Sequence, residues 1–478
     1  MRQPDAASAT AADPLARIAA RVAGTRAAWK APNRRKREVN RRRPVQVVVL
    51  GFVAAIAAGT FLLLLPVSAT GSHASFLEAL FTTVSALCVT GLIVVDTPTH
   101  WTTFGHVVIL VLIQIGGFGV MTLASVLALM LSRHLGLETR FVAATATRTL
   151  RLGDVAEVLR GVFRATVLIE GVVAVVLALR WLAWYDVPLP RALWLGVFHS
   201  VSAFNNAGFA LFTDNLMGFA TDPWICLPVA ASLILGGLGF PVLFEVYRHH
   251  RHPRRWTLLT KVTLAGSGIL LALGTVFILL GEWANPGTLG PLSPAGKLLA
   301  GFFQAVVPRT AGFNSVDIAQ MNTGTWLGMD VLMFIGGGSS GTAGGIKVTT
   351  LAVLSFAVWS ELRSDHDVTA FGWRLPPTTI REALTVSTMS MVLVVVSTVV
   401  IAMTSPFTLD QILFEVVSAF ATVGLSTGIT ADLVPFHQFI VIALMFVGRL
   451  GPVTLGTALA MRSRESRIRH PHTTIPIG

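Results

Sequence analysis

Charge and cysteine are what this chain has least of. Only 13% of its 478 residues are charged, 53% are hydrophobic, and the mean hydropathy is +0.70. That balance excludes an ordinary soluble domain and points to a polytopic membrane protein. Two cysteines, Cys88 and Cys226, both in apolar surroundings, exclude a disulfide framework. The Ala- and Arg-rich residues 1–44 contain no apolar core ahead of a cleavage site, so no signal peptide is expected. No HExxH metal motif occurs, nor a GxSxG in the strand-to-helix setting of a nucleophile elbow, and Glu and His do not converge in any repeat, which argues against an enzyme.

What is present is a repeated stretch. Phe81 to Leu92 reads FTTVSALCVTGL, and its shape returns as FHSVSAFNNAGF from Phe198, FFQAVVPRTAGF from Phe302 and FEVVSAFATVGL from Phe414. In each, a Phe precedes a Gly by ten residues, at Gly91, Gly208, Gly312 and Gly424. Ser85, Ser202 and Ser418 stand six before the Gly, where the third copy has Val306. Each copy reads as a short apolar helix of about a dozen residues, too short to span a bilayer and suited to a re-entrant pore helix. Capping signals mark their starts: the Ser75–Glu78 capping box, Ser293 followed by Pro294, and Asp410 as the cap of the fourth, while Pro188 and Pro190 stop the preceding helix before the second.

Long apolar stretches flank every copy, at roughly 45–66 and 104–131, 161–184 and 222–247, 257–282 and 326–359, and 380–404 and 435–461. All eight meet the need for about 20 apolar helical residues. The second stretch of each pair has its own glycine motif: Ile115-Gly-Gly-Phe-Gly119, Leu235-Gly-Gly-Leu-Gly239, Ile335-Gly-Gly-Gly-Ser339 and Val447-Gly-Arg-Leu-Gly451. The loop Gly precedes the first Gly of that motif by 25, 28, 24 and 24 residues. Small residues permit close helix packing, which accounts for these glycines but not for those in the loops. The expected fold is therefore all-α and membrane-integral. It has four pseudo-repeats, each of spanning helix, pore helix, filter loop and spanning helix, around one central pore. The repeats occupy 45–131, 160–247, 257–359 and 380–461, between a disordered basic tail, 1–44, and a C-terminal tail, 462–478.

The net charge of +12 is read first as a topology signal rather than a nucleic-acid one. Arginines and lysines cluster after the even-numbered spans, from Arg133 to Arg160, Arg248 to Lys261, Arg363 to Arg381 and Arg462 to Arg469. The opposite side has Arg180, Arg191, Lys297 and Arg309, and none in 67–103. Both termini are thus expected in the cytoplasm, with eight spans and the pore loops entering from outside. The cluster Arg34 to Arg43 sets orientation or binds anionic headgroups.

A bare cation at mid-membrane is costly, and backbone carbonyls can replace its water shell. Four copies around one axis would supply rings of carbonyls from Val89, Thr90 and Gly91; Asn206, Ala207 and Gly208; Thr310, Ala311 and Gly312; and Thr422, Val423 and Gly424. Glycine reaches the backbone angles that turn carbonyls toward a pore. Pore-helix C-termini, partially negative, favour a cation there. The loops carry no ring of Asp or Glu, which argues for a weakly hydrated monovalent ion rather than calcium.

VTGL, NNAGF, RTAGF and TVGL, together with GGGSSGTAGGIK, resemble the Trk/Ktr/HKT superfamily of potassium transporters over about 45–461, nearest to KtrB-type membrane subunits or to a short TrkH-type subunit. The absence of two extra N-terminal helices favours the former. The resemblance implies potassium uptake across the plasma membrane, a selectivity filter at Gly91, Gly208, Gly312 and Gly424, a homodimer, and a cytoplasmic nucleotide-binding regulatory ring of KtrA/TrkA type. Nucleotide would bind only that separate subunit, with Na+ as a possible coupling or activating ion and no nucleic-acid partner. Gly91 rather than Ser favours potassium; a sodium-permeable or sodium–potassium symporting relative is the alternative. The third loop departs from the pattern at Val306, Val307 and Pro308.

Between Gly336 and Gly345 the sequence runs Gly336, Gly337, Gly338, Ser339, Ser340, Gly341, Thr342, Ala343, Gly344, Gly345, with Lys347 just beyond. Six glycines in ten residues, at about 1 kcal/mol each, oppose a helix, and irregular backbone at membrane depth suits a watery cavity. A kinked, closely packed helix is the simpler alternative. Lacking a GK[ST] ending, the run is not a phosphate loop. The resemblance implies an intramembrane loop obstructing the pore below the filter. Arg449 replaces a Gly in mid-span, and is either functional or paired with Glu415 or Glu245. The resemblance implies a pore-facing positive barrier beside the gate.

Overall fold

The computed structural model describes residues 49–71, 73–132, 152–339 and 341–451, with the helical stretches 120–132 and 152–158 as backbone only. The expected tails 1–44 and 462–478, the basic residues Arg133 to Arg148, the end of the last expected span, and Ser340 lie outside the described residues. Phe52–Leu455 forms one compact unit.

The described chain is helical almost throughout. Its described helices of ten residues or more are, in order, α1 Val49–Leu63, α2 Phe76–Leu87, α3 Thr103–Ser132, α4 Leu152–Trp184, α5 Leu189–Phe204, α6 Pro223–Leu238, α7 Phe240–His249, α8 Leu258–Glu282, α9 Pro294–Val306, α10 Thr323–Phe334, α11 Val348–Leu362, α12 Pro377–Ala402, α13 Leu409–Ala421 and α14 Pro435–Leu450. One small antiparallel hairpin, β1 Thr369–Ala370 with β2 Trp373–Arg374, departs from the all-α expectation. Phe371 and Gly372 both have positive φ there, the backbone that a two-residue hairpin turn needs.

Among the described residues, α4 from Leu159, α8 and α12 are each long and apolar enough to cross a bilayer. The fourth, sixth and eighth stretches expected as spans take other forms. The α6–α7 pair bends by 101° at Gly239 (φ 91, ψ 144), a backbone that L side chains rarely adopt. The stretch expected at 326–359 is interrupted: α10 stops at Phe334 and α11 begins at Val348. α14 stops at Leu450, where Gly451 (φ 84, ψ 135) repeats the conformation of Gly239.

The four short helices α2, α5, α9 and α13 hold the core. Phe81, Phe198, Phe303 and Phe414 are fully buried. Each short helix packs against the longer ones on either side, α5 on α4 and α6, α9 on α8 and α6, α13 on α12 and α14, and α2 on α3. Large apolar side chains on α4, α8 and α12, such as Leu168, Leu273 and Val395, point outward, as helices facing lipid require.

Local sequence sets the helix starts. Ser75 and Glu78 form the capping box of α2, and the Ser293 hydroxyl accepts from Gly296 N–H at the start of α9. For α13 the cap is Thr408, in a box with Gln411, and not Asp410; Asp410 lies in the first turn, where its charge suits the helix dipole.

Candidate functional site: four converging loops

Each short helix ends in a loop with one backbone pattern. The residue two before the glycine and the glycine itself both have positive φ: Val89 56° and Gly91 92°, Asn206 59° and Gly208 71°, Thr310 68° and Gly312 71°, Thr422 52° and Gly424 93°. Asn tolerates this region, but Val and Thr are β-branched and adopt it only where the surroundings enforce it. The four loops thus share one backbone turn, set by the same two positive-φ positions.

The loops meet one another in a closed cycle. A methyl group added at Gly91 would overlap the Ala207 carbonyl. At Gly208 it would lie 3.0 Å from the Ala311 carbonyl and 2.6 Å from Gly312 Cα. At Gly312 it would lie 2.6 Å from the Val423 carbonyl, and at Gly424 it would overlap that of Thr90. Loop 1 thus faces loop 2, loop 2 faces loop 3, loop 3 faces loop 4, and loop 4 faces loop 1. Only glycine fits, because both the φ and the approach of the next backbone forbid a side chain. The hydroxyls of Thr90, Thr310 and Thr422 are buried beside this ring with no hydrogen-bond partner among the described residues. A cavity of about 340 Å³, lined by Gly91, Gly312 and Gly424 and by the carboxylates Asp214 and Asp317, opens over one end of the ring.

The glycine motifs of the longer helices explain how the loops come so close. A methyl at Gly116, Gly236 or Gly448 would overlap the carbonyl of Leu87, Phe204 or Phe420 respectively. Each of these carbonyls stands four residues before a loop glycine, at the C-terminal end of a short helix. Gly336 departs from the pattern, facing Gly344 instead.

The Gly-rich run lies against the other end of the loops. Its ends are zipped by Gly336 N–H to Ile346 O (2.8 Å), Ile346 N–H to Phe334 O (3.1 Å) and Val348 N–H to Gly337 O (3.0 Å). Its middle is fastened to the broken end of α6. Gly338 N–H donates to Gly237 O at 2.8 Å and Thr342 N–H to Gly236 O at 3.2 Å. These are carbonyls that a helix terminus leaves free. Thr342 Oγ1 donates to Asn206 Oδ1 at 2.8 Å, and Gly344 abuts Thr422, so the run touches loops 2 and 4 at the positive-φ positions. Ser339 and Thr349 share a hydroxyl hydrogen bond of 2.7 Å. Lys347 Nζ donates to Ala343 O and, at 3.4 Å, to Gly344 O.

Arg449 is 6% exposed. Its Nη1 donates to Thr342 O and its Nη2 to Gly116 O at 3.1 Å. The expected alternative, an ion pair with Glu415 or Glu245, does not form. Glu415 accepts from the Thr430 hydroxyl, and Glu245 from Thr257 N–H (2.8 Å) and from the hydroxyls of Thr257 and Thr260. A guanidinium held by carbonyls alone keeps its full charge beside the Gly-rich run.

Sequence reasoning missed Asn205 and His199, which lie behind the loops. Asn205 donates to Glu170 Oε1 (3.1 Å) and Gln114 Oε1 (2.9 Å), tying loop 2 to α4 and α3. His199 accepts from Leu211 N–H at 3.2 Å through Nε2. The available signal was a polar residue within or at the end of an apolar short helix.

A family model described as "TrkH: Cation transport protein" matches residues 14–467. The chain belongs to the TrkH family. This member is 42% identical to the Ktr system potassium uptake protein B of Bacillus subtilis (strain 168), over 91% of the chain and 97% of that relative. It is 39% identical to the Ktr system potassium uptake protein B of Vibrio alginolyticus, over 91% and 94%. It is 34% identical to the potassium/sodium uptake protein NtpJ of Enterococcus hirae, over 93% and 99%. The crystal structure of the potassium transporter TrkH from Vibrio parahaemolyticus shares the fold, with a TM-score of 0.70 at 20% identity over 88% of this chain and 85% of that one. TrkH-family relatives are ion transporters, not enzymes.

Proposed function

We propose that this chain takes up potassium across the plasma membrane through a pathway on the axis of the four loops. The observation that carries this reading is the closed cycle in which Gly91, Gly208, Gly312 and Gly424 each face the carbonyl of the next loop. Backbone oxygens from Thr90, Ala207, Ala311 and Val423 replace the ion's water. Short-helix C-termini supply partial negative charge, and Asp214 and Asp317 concentrate cations at the outer mouth. The Gly-rich run 336–345 is the gate, held shut by its bonds to α6 and Asn206 and by Arg449, whose charge opposes a cation below the filter. The chain is organised as four pseudo-repeats with eight spans and cytoplasmic termini. As its Ktr-system relatives are named for a system, it works as a homodimer with a nucleotide-binding cytoplasmic ring.

The test is rubidium-86 uptake into liposomes holding purified protein, with potassium, sodium and lithium as competitors. Strong competition by potassium and weak competition by sodium is expected. Equal competition by sodium would overturn potassium selectivity and favour the second reading, a sodium–potassium transporter, for which the relative named potassium/sodium uptake protein is the specific support.

A further inference from the structure

The four loops are not fastened alike. In loop 1 the Ser85 hydroxyl accepts from Gly91 N–H (3.1 Å) and donates to Leu92 O (2.7 Å). In loop 2 the Ser202 hydroxyl donates to Phe209 O at 2.8 Å, and in loop 4 the Ser418 hydroxyl accepts from Gly424 N–H at 3.1 Å. Each serine stands six before the glycine and latches the glycine, or the residue after it, to the end of the short helix. Loop 3 has Val306 at that position. Among the described residues no side chain bonds Gly312 N–H or Phe313 O. Its turn is also re-phased. Thr90, Ala207 and Val423 N–H reach five residues back, to Ser85, Ser202 and Ser418, whereas Ala311 N–H reaches four back, to Val307 O at 3.0 Å.

Loop 3 has instead a cation three residues before its glycine. Arg309 Nη2 donates to Ser267 Oγ at 2.9 Å and Nη1 to Ser267 O at 3.4 Å, both on α8. Asn205 holds the same place in loop 2 and likewise reaches the helix preceding its own short helix, at Glu170 of α4. Arg309 and Val306 line one small cavity of about 10 Å³ with Asn206, Gly237 and Gly337, where the ring, α6 and the Gly-rich run meet.

We propose that Arg309 is the positioning residue of loop 3, its fork on Ser267 doing for that loop what a buried serine hydroxyl does for the other three. Loop 3 is then held from the α8 side rather than from its own helix end. The inference rests on the reading of the four loops as the selective pathway. It adds that one quarter of that pathway is set by a side chain outside the ring.

The experiment is a double-mutant cycle of Arg309→Gln and Ser267→Ala, read as the ratio of potassium to sodium competition against rubidium-86 uptake. Ser267→Ala is small, leaves the loop sequence intact and reports even where Arg309→Gln folds poorly. Each variant is expected to lower discrimination, by about tenfold for Arg309→Gln and less for Ser267→Ala, with the double variant no worse than Arg309→Gln alone. Unchanged discrimination in Ser267→Ala, or additive losses in the double variant, would overturn the proposal and leave Arg309 a charge acting on its own. A wild type without potassium preference would instead overturn the underlying reading, and the proposal with it.

Discussion

Two stretches of this chain begin alike and end differently. Ile115-Gly116-Gly117 lies inside α3, which runs unbroken from Thr103 to Ser132, whereas at Ile335-Gly336-Gly337 the helix stops and does not resume until Val348. The glycines themselves do not decide this. After Gly119 the sequence continues VMTLASVLALML, strong enough in helix formers to absorb the cost of three glycines; after Gly338 it continues SSGTAGG, which offers no turn that favours a helix. The first stretch therefore uses its glycine as a notch, where Gly116 admits the Leu87 carbonyl. The second gives up its helical bonds and takes new ones from the broken end of α6. Arg449 joins the two, donating to Gly116 O in one and Thr342 O in the other. One motif thus serves close packing in one place and an irregular loop in another, and the residues that follow set which.

Substitutions that break this contrast are ranked by what the added atoms would meet. Gly116→Ala has the largest expected effect. Its methyl overlaps a backbone carbonyl that cannot swing away, so a loss of about 3 kcal/mol in stability is expected, with uptake abolished. Thermal unfolding in detergent, followed by fluorescence, checks it; an unchanged midpoint would mean the notch is not needed. Next is the triple change Gly337→Ala, Gly338→Ala and Gly341→Ala. The new methyls would meet Gly237 O at 2.6 and 2.7 Å and overlap Leu238 O, driving the run off α6 while raising its helix propensity. Rubidium uptake should then rise and lose any dependence on a regulatory partner.

Arg449→Ala removes the link between the two stretches together with its charge. Uptake is expected to rise about fivefold, a coupling of ordinary size. Unchanged kinetics would remove Arg449 from the gate. Thr342→Val deletes only the hydroxyl on Asn206 and should raise uptake about twofold, a single net hydrogen bond's worth. An effect equal to that of Arg449→Ala would place the hold on the run at Asn206 rather than at the guanidinium.

Much of this arrangement was legible in the sequence. The ten-residue Phe-to-Gly spacing located the four short helices and their loops, the Ser75 and Ser293 signals gave two helix starts, and the Gly-rich run announced an interrupted helix. What was not legible depended on contacts between distant segments. The positive φ of Val89, Thr310 and Thr422 runs against the preference of β-branched residues and exists only because the neighbouring loops enforce it. The α6–α7 bend needed Gly239 to be read with the Phe-Pro that follows, and the same Gly recurs in α3 as Gly119 without a break. A carboxylate is the usual partner for a buried arginine, but Arg449 takes the carbonyls of Thr342, in the Gly-rich run, and of Gly116, inside α3, both far away in the sequence.

The central claim is that the four glycine loops form one cation-coordinating ring. The most direct measurement is the anomalous scattering of rubidium in crystals grown with rubidium in place of potassium. The account predicts a peak on the axis shared by the loops, within about 3 Å of the carbonyls of Thr90, Ala207, Ala311 and Val423. Rubidium peaks elsewhere in the molecule, with none among those carbonyls, would contradict it.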